Sequence, residues 1–275
     1  MEYAGQCKIC NGASIDDTPV FTPEQQEKLL NEIYLGIVTS NNLPLNIYET
    51  LANVYIESFN DGYGIAVTPD TKPIHIETIN NAEINLHHFA AAKLYQLVSE
   101  IEVNRVDYKN GMVNYTKFKE KSSEDIGLYL GAFLFTERAT AADVGRAKIN
   151  WNKKVAVKNK PSFLQYVTKR DGGVRPAHAA LDGLIWKSDD RFMCRLNAPN
   201  GYRCRCHMYV TPRGTVTDMS VFNMDELFEN IPPEFRFNFG DEKFVYAPNH
   251  PYFKVPRKDQ EFARKNFNLP YPHGN

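Results

Sequence analysis

The sequence predicts an α+β protein in which a helical N-terminal region precedes a smaller mixed α/β domain, stapled by a metal ion or by thiols. Three observations predict it. Apolar residues recur at helical spacing as far as about residue 145. Beyond Trp151 they occur in short β-prone segments between glycines and prolines. The five cysteines are an odd number, and the first twenty residues lack a secretory signal, which favours reduced thiols or metal ligands. We expect the helical region over residues 1–145, the mixed domain over 146–252 and an extended tail over 253–275.

The first helix has clear start signals. Thr22 is suited to cap it, Pro23 suits the first helical position, and Gln25 stands at the capping-box position. Its buried face is predicted to consist of Leu29, Leu30, Ile33 and Ile37.

Three further helices follow from the same periodicity. The second carries apolar residues at helical spacing over 47–59, and the third spans about residues 82–106. The fourth is predicted to begin with a cap on Ser123. His87 and His88 lie on the third helix, and we interpret them as a surface or packing pair because no partner ligand stands near them in sequence.

The mixed domain is predicted to contain short elements. Strands are expected at residues 163–168 and 208–210, where β-prone side chains are concentrated. A short helix is expected within residues 174–184, since proline stands near its start and glycine near its end. The aromatic-rich residues 235–246 are predicted to form a hairpin.

Charge is distributed unevenly along the chain. The net charge is −1 overall, but residues 146–215 contain 15 basic and 4 acidic residues, a net +11, and the remainder therefore carries −12. Such a segment predicts salt-sensitive, non-specific contact with double-stranded DNA, or attraction to an acidic protein surface. The chain has no run of 18 apolar residues, so no membrane partner is expected. The candidate phosphate contacts are Lys153, Lys154, Lys158, Lys160, Arg191, Arg203 and Arg205.

A C-x-C pair follows a tight-turn signal at residues 199–201. Because side chains alternate along an extended chain, Cys204 and Cys206 should point the same way. With His178 they could bind a structural zinc ion (Zn2+). The candidates for the fourth ligand are Cys194, Asp189, Asp190, Asp182 and His207. Two alternatives stay open, namely buried free thiols and a disulfide between Cys194 and one of the pair.

Arg175 and His178 stand three residues apart on the predicted short helix and can share a face. As an active site they would supply a cation and a general base to a small nuclease-type enzyme. In a structural role, Arg175 would pair with Asp171 or Asp182. We favour the structural role over the enzymatic one, because no clustered carboxylates and no convincing nucleophile–base pair accompany the two residues.

Together these residues resemble the signature of the phage Mu F-like minor head protein family. The resemblance covers about residues 145–252, and Cys7 and Cys10 lie outside it. It rests on Arg175-Pro176-Ala177-His178, Leu181-Asp182-Gly183 and Pro199-Asn200-Gly201-Tyr202-Arg203-Cys204-Arg205-Cys206.

The resemblance implies a non-enzymatic minor capsid protein of a tailed phage that acts in head morphogenesis. Such a protein lies in the virion near the portal, and it assists genome packaging or ejection. Its implied partners are the portal protein, the major capsid protein and packaged DNA. The motif also implies structural roles for Arg175, Asp182, Gly183, Pro199 and Gly201.

Overall fold

A computed structural model describes residues 18–154, 162–190, 193–211 and 214–269. Long helices occupy the first described range and short helices and strands the later ones, so the predicted α+β class is confirmed. None of the described helices combines the length and apolar character needed to span a bilayer. The helices are α1 (Pro23–Leu35), α2 (Leu45–Tyr63), α3 (Pro73–Lys109), α4 (Tyr115–Gly127), α5 (Leu134–Lys154), α6 (Pro176–Ala179), α7 (Met224–Glu229) and α8 (Phe262–Phe267).

The start of α1 is as predicted. The Thr22 side chain accepts a hydrogen bond from the Gln25 backbone N–H, and the Gln25 side chain accepts one from the Thr22 N–H. The helix ends at Leu35 because Gly36 adopts a left-handed conformation (φ 75°) that caps it. Ile37 therefore lies beyond the helix and is 57% exposed, so its predicted place on the buried face is wrong.

The boundaries of the later helices differ from the prediction. α3 begins near residue 73, well before residue 82, since Pro73 suits a first helical position. Asn114, not Ser123, caps the fourth helix, by accepting a hydrogen bond from the Lys117 N–H at 2.9 Å. A π-helical segment, Leu128–Phe133, then connects α4 to α5. α5 is continuous across residue 145, where we placed the domain boundary.

Helices α2 and α5 cross in backbone contact. A Cβ atom added to Gly62 would lie 2.0 Å from the carbonyl oxygen of Ala142, and one added to Gly145 would lie 2.4 Å from that of Phe59. Only glycine leaves room for this approach. The crossing brings the inward face of α5 against α2 and α3.

A buried ion pair joins these helices. Lys93 of α3 is fully buried and donates to the carboxylate of Glu137 on α5, which is 3% exposed. Tyr55 of α2 donates to the same carboxylate, and so does Tyr252, at 2.8 Å. Tyr246 donates to the backbone oxygen of Glu137 at 2.6 Å. The pair thus links three helices to the C-terminal segment, and we call these five residues the Lys93–Glu137 cluster.

The C-terminal segment is not the hairpin and extended tail that the sequence predicts. No strand forms in residues 235–246, because helix side chains take the hydrogen bonds that a strand ladder would have used. The Asn85 side chain accepts from the Val245 and Tyr246 N–H groups, at 2.8 and 2.7 Å. The Lys148 ammonium donates to the Phe239 carbonyl at 2.9 Å, and burial lowers the pKa of Lys148 to about 7.

The chain end also folds back. Where an extended tail is predicted, residues 262–267 form α8, because its apolar face has a partner in the helical region. Phe262 is buried against Tyr95, with ring centroids 4.8 Å apart. The Asn266 side chain accepts a hydrogen bond from the Leu43 N–H at 2.8 Å. The prediction of an extended conformation is therefore wrong for this stretch.

A small antiparallel sheet lies beside the helices, with strand order β2-β1-β3. The predicted strands are present as β1 (Phe163–Val167) and β3 (His207–Thr211), and β2 (Ile185–Lys187) was not predicted. Gln165 of β1 pairs with Ile185 on one side and Tyr209 on the other. The helix expected within residues 174–184 is reduced to the single turn α6, because turns follow it and Gly183 adopts a left-handed conformation.

Replacing Glu137 should destabilise the fold strongly. Glu137→Gln removes the negative charge opposite Lys93, and breaking one side of a buried pair costs about 3–5 kcal/mol. Urea unfolding should show a free energy of unfolding lower by about that amount. The control is Glu27→Gln, which breaks the exposed pair of Glu27 with Lys119 (N–O distance 3.1 Å) and should cost less than about 1 kcal/mol. Equal losses in the two variants would contradict the role assigned to the cluster.

Candidate functional site

The motif residues converge at one end of the sheet. Tyr166 of β1 is buried, and its hydroxyl donates to the Asn200 side chain at 2.9 Å. The Tyr166 carbonyl accepts from the Gly183 N–H at 2.8 Å, which holds the chain after α6 against the strand. These two bonds bring the turn at residues 199–201 and the motif around α6 to the same place.

His178, Cys204 and Cys206 meet there. His178 Nδ1 lies 3.5 Å from Cys204 Sγ and 3.6 Å from Cys206 Sγ, and the three ligand atoms lie within 4.8 Å of one another. His178 and Cys204 are 2% and 1% exposed, and Cys206 is half-buried. Both thiols are free, so the structure does not contain a disulfide at either.

The two thiols have unequal acidities. The pKa of Cys204 is held well below its ordinary value, because Cys206 and, to a lesser degree, His178 hydrogen-bond to it. The pKa of Cys206 is raised by its hydrogen bond to Cys204 and by burial.

The structure brings together three of the predicted ligands and, among the residues that it describes, no fourth one. Within the described ranges, only His178, Cys204 and Cys206 come together as potential ligands. The Asp182 carboxylate is occupied, since it accepts from the Thr168 N–H at 2.8 Å and from Arg170 Nε at 2.7 Å. Asp189, Asp190 and His207 do not join the group. The side chain of Cys194 lies outside the described residues, as do Cys7 and Cys10.

Asp182 and Gly183 shape the turn after α6. The backbone hydrogen bond from Thr168 is the main cause of a lowered pKa at Asp182, with a contribution from Arg170. Gly183 has φ 83°, a conformation that favours glycine. The two residues thus join α6 to the end of β1.

Arg175, Pro199 and Gly201 shape the loop before the cysteines. We predict from the sequence that Arg175 pairs with Asp171 or Asp182, but in the structure it pairs with neither. Its guanidinium donates to the Tyr202 carbonyl at 2.6 Å. A Cβ atom on Gly201 would lie 3.2 Å from Arg175 Nη1, so the loop packs directly on the guanidinium. Pro199 follows a cis peptide bond.

The candidate phosphate contacts that the structure describes are engaged within the chain. Arg205 forms two hydrogen bonds with the Asp171 carboxylate, at 2.6 and 2.7 Å. The guanidinium of Arg203 lies over the Phe135 ring, 4.8 Å from its centroid. Contact of either arginine with phosphate stays a prediction. The remaining candidates lie outside the described residues or have side chains that do: Lys153, Lys154, Lys158, Lys160 and Arg191.

The geometry also gives no support to the nuclease alternative. A general base must reach the proton that it removes, whereas the His178 ring is buried with Nδ1 against two sulfur atoms. Arg175 is bound to a backbone carbonyl. Both residues therefore act as parts of the folded loop.

Two further polar residues, Asn200 and His250, complete the site. Asn200 reads as a turn residue, yet it is fully buried and binds Tyr166. His250 is buried, hydrogen-bonds to the Tyr202 hydroxyl and accepts from the Tyr252 N–H at 3.1 Å. Burial lowers its pKa to about 3, so the ring is neutral. No local pattern signals the buried side-chain bonds of either residue, because Tyr166 lies 34 residues from Asn200 and Tyr202 lies 48 residues from His250.

Comparison with known proteins identifies the region that carries this site. Residues 113–209 match the family described as Phage Mu protein F like protein, which confirms the resemblance. The match begins earlier than predicted, before α4, and ends at residue 209, short of the predicted end at residue 252. The putative capsid assembly protein F of Escherichia phage Mu is 41% identical over 46 residues, which cover 17% of this chain and a tenth of that protein. No solved structure matches the chain.

Adding a side chain at Gly183 should destabilise the site. A non-glycine residue in the left-handed region costs about 1–2 kcal/mol, so Gly183→Ala should lower the free energy of unfolding by that amount in chemical denaturation. Gly172→Ala is the matched control, since its φ is not positive and a Cβ atom there meets nothing within 4 Å. That variant should be unchanged or more stable by less than about 1 kcal/mol. A Gly183→Ala protein as stable as the control would contradict this assignment.

Proposed function

We propose that this chain is a structural head morphogenesis protein of a tailed bacteriophage and a component of its virion. The observation that carries the proposal is the match of residues 113–209 to the Mu F-like family, which includes every motif residue of the site. The short match to a capsid assembly protein points to the same role. The burial of His178 and the internal contacts of Arg175 support a structural role over an enzymatic one.

Within the head, we place the chain near the portal, in contact with the portal and major capsid proteins. The charge distribution supports two different partners, since residues 146–215 carry +11 and the remainder of the chain carries −12. A basic segment suits the packaged genome, and an acidic one suits basic protein surfaces. In this arrangement the chain assists packaging or ejection without reading base sequence.

The virion is the place to test this role. Particles should be purified from cells that produce the phage with and without this chain, and their proteins should be identified by mass spectrometry. We expect the chain in DNA-filled heads, with crosslinks to the portal protein, and fewer filled heads without it. Its absence from purified particles would contradict the proposal. So would cleavage of DNA or RNA by the purified wild-type chain that Arg175→Ala abolishes while leaving the protein folded.

DNA contact has its own test, for which the lysine run at residues 153–160 is the target. Changing Lys153, Lys154, Lys158 and Lys160 to Gln should weaken binding to duplex DNA of any sequence. The slope of log K against log salt concentration should fall by about 3–4, since each phosphate contact contributes about 0.9. The measurement is fluorescence anisotropy at several salt concentrations.

The matched control for DNA binding removes four exposed lysines from the helical region. These are Lys28, Lys117, Lys119 and Lys121. Their replacement by Gln gives the same net charge and should leave the slope within about 1 of the wild-type value. Equal effects from both sets would mean that net charge, and not the 153–160 run, governs binding. Absence of binding at low salt would direct the basic segment to a protein partner.

A further inference from the structure

We propose that His178 Nδ1, Cys204 Sγ and Cys206 Sγ hold a structural zinc ion. This site goes beyond the proposed role in the phage head. It belongs to the fold of the chain itself and does not depend on any partner.

The spacing of the three atoms fits a tetrahedral zinc centre. Zinc lies about 2.3 Å from a thiolate and about 2.0–2.1 Å from an imidazole nitrogen, so tetrahedral angles place nitrogen and sulfur about 3.6 Å apart. The observed separations from His178 Nδ1 are 3.5 Å to Cys204 and 3.6 Å to Cys206. The two nitrogen–sulfur separations therefore match those of a zinc-bound set.

Hydrogen bonding alone accounts poorly for this arrangement. Nδ1 of a histidine has either one proton or one lone pair, so it forms one good hydrogen bond. Here it lies almost equally far from two sulfur atoms, and those sulfurs are also close to each other. A shared centre that binds all three atoms explains the equal distances.

The chemical types of the three ligands favour zinc over other metal ions. Two thiolates and an imidazole are ligands for zinc, whereas magnesium and calcium take oxygen ligands. The negative charge of the thiolates is offset by the ion and by Arg175, whose guanidinium lies beside Gly201 in the same loop. Among the described residues no fourth ligand joins the group, and a water molecule can complete the tetrahedron.

The local fold indicates what the ion does. α6 has only four residues, too few to form a stable helix unaided. The ion would join this turn to the loop at residues 199–206, from which β3 continues. His178 and Cys204 are almost completely buried, so the ion would be closed off from large substrates. We therefore assign it a structural role, in which binding free energy becomes folding free energy.

Metal analysis of the full chain, purified without chelator, tests the site. We expect about one equivalent of zinc in the wild type, as in other tight structural sites. Cys204→Ser and Cys206→Ser should lose most of it. The chain contains a matched control in its other cysteine pair, Cys7 and Cys10, and the double variant Cys7→Ser/Cys10→Ser should keep its zinc. Zinc-free wild-type protein, or zinc that depends on Cys7 and Cys10, would overturn the proposal.

A measurement on the wild type avoids variants that fail to fold. Replacement of the metal by cobalt(II) should give the intense visible bands of a tetrahedral ion and the near-ultraviolet bands of cobalt–thiolate bonds. X-ray absorption at the zinc edge should show at least two sulfur ligands near 2.3 Å and a nitrogen near 2.0 Å. Spectra without sulfur ligands would overturn the site and leave the proposed head function untouched.

Discussion

Lys93 and Glu137 form an ion pair in the interior, and the other parts of the fold have to be in place around it. Removing two charges from water costs several kcal/mol per ion, which the attraction between them offsets only if the remaining polar atoms are also bonded. Tyr55 and Tyr252 provide those bonds at the carboxylate. The pair therefore requires α2, α3, α5 and the C-terminal segment together. This requirement explains why a segment with few regular elements is held firmly against the helices.

The same cluster reaches the candidate zinc site. His250, two residues before Tyr252, hydrogen-bonds to the Tyr202 hydroxyl. The Tyr202 carbonyl in turn accepts a hydrogen bond from Arg175, three residues before His178. His250 is buried, so the loss of its partner would leave a desolvated polar group, whereas Arg175 is exposed and holds the loop from its surface. Hydrogen bonds thus connect the helical region to the motif residues, although the two regions differ in sequence pattern.

The structure changes how the net charge of residues 146–215 is interpreted. A sum over residues 146–215 treats every arginine as available, yet Arg205 is neutralised by Asp171 and Arg203 lies over an aromatic ring. Asp182 is likewise paired with Arg170. The sum therefore overstates the positive charge that is available to a partner, since it counts arginines that already pair with a carboxylate of the same chain.

The sequence predicts correctly those features of the fold that depend on interactions between residues close together in the chain. The capping box of α1 and strands β1 and β3 were predictable because each depends on residues close together in the chain, and the motif was predictable from the order of its residue types. Lys93 and Glu137 are 44 residues apart, and charged residues on a helix ordinarily mark its solvent face. Their burial, the C-terminal fold and the exact fit of His178 to two cysteines 26 and 28 residues away were decided by tertiary packing. Periodicity indicates which face of an element is apolar, whereas the partner of a buried polar group is known only once distant segments have been brought together.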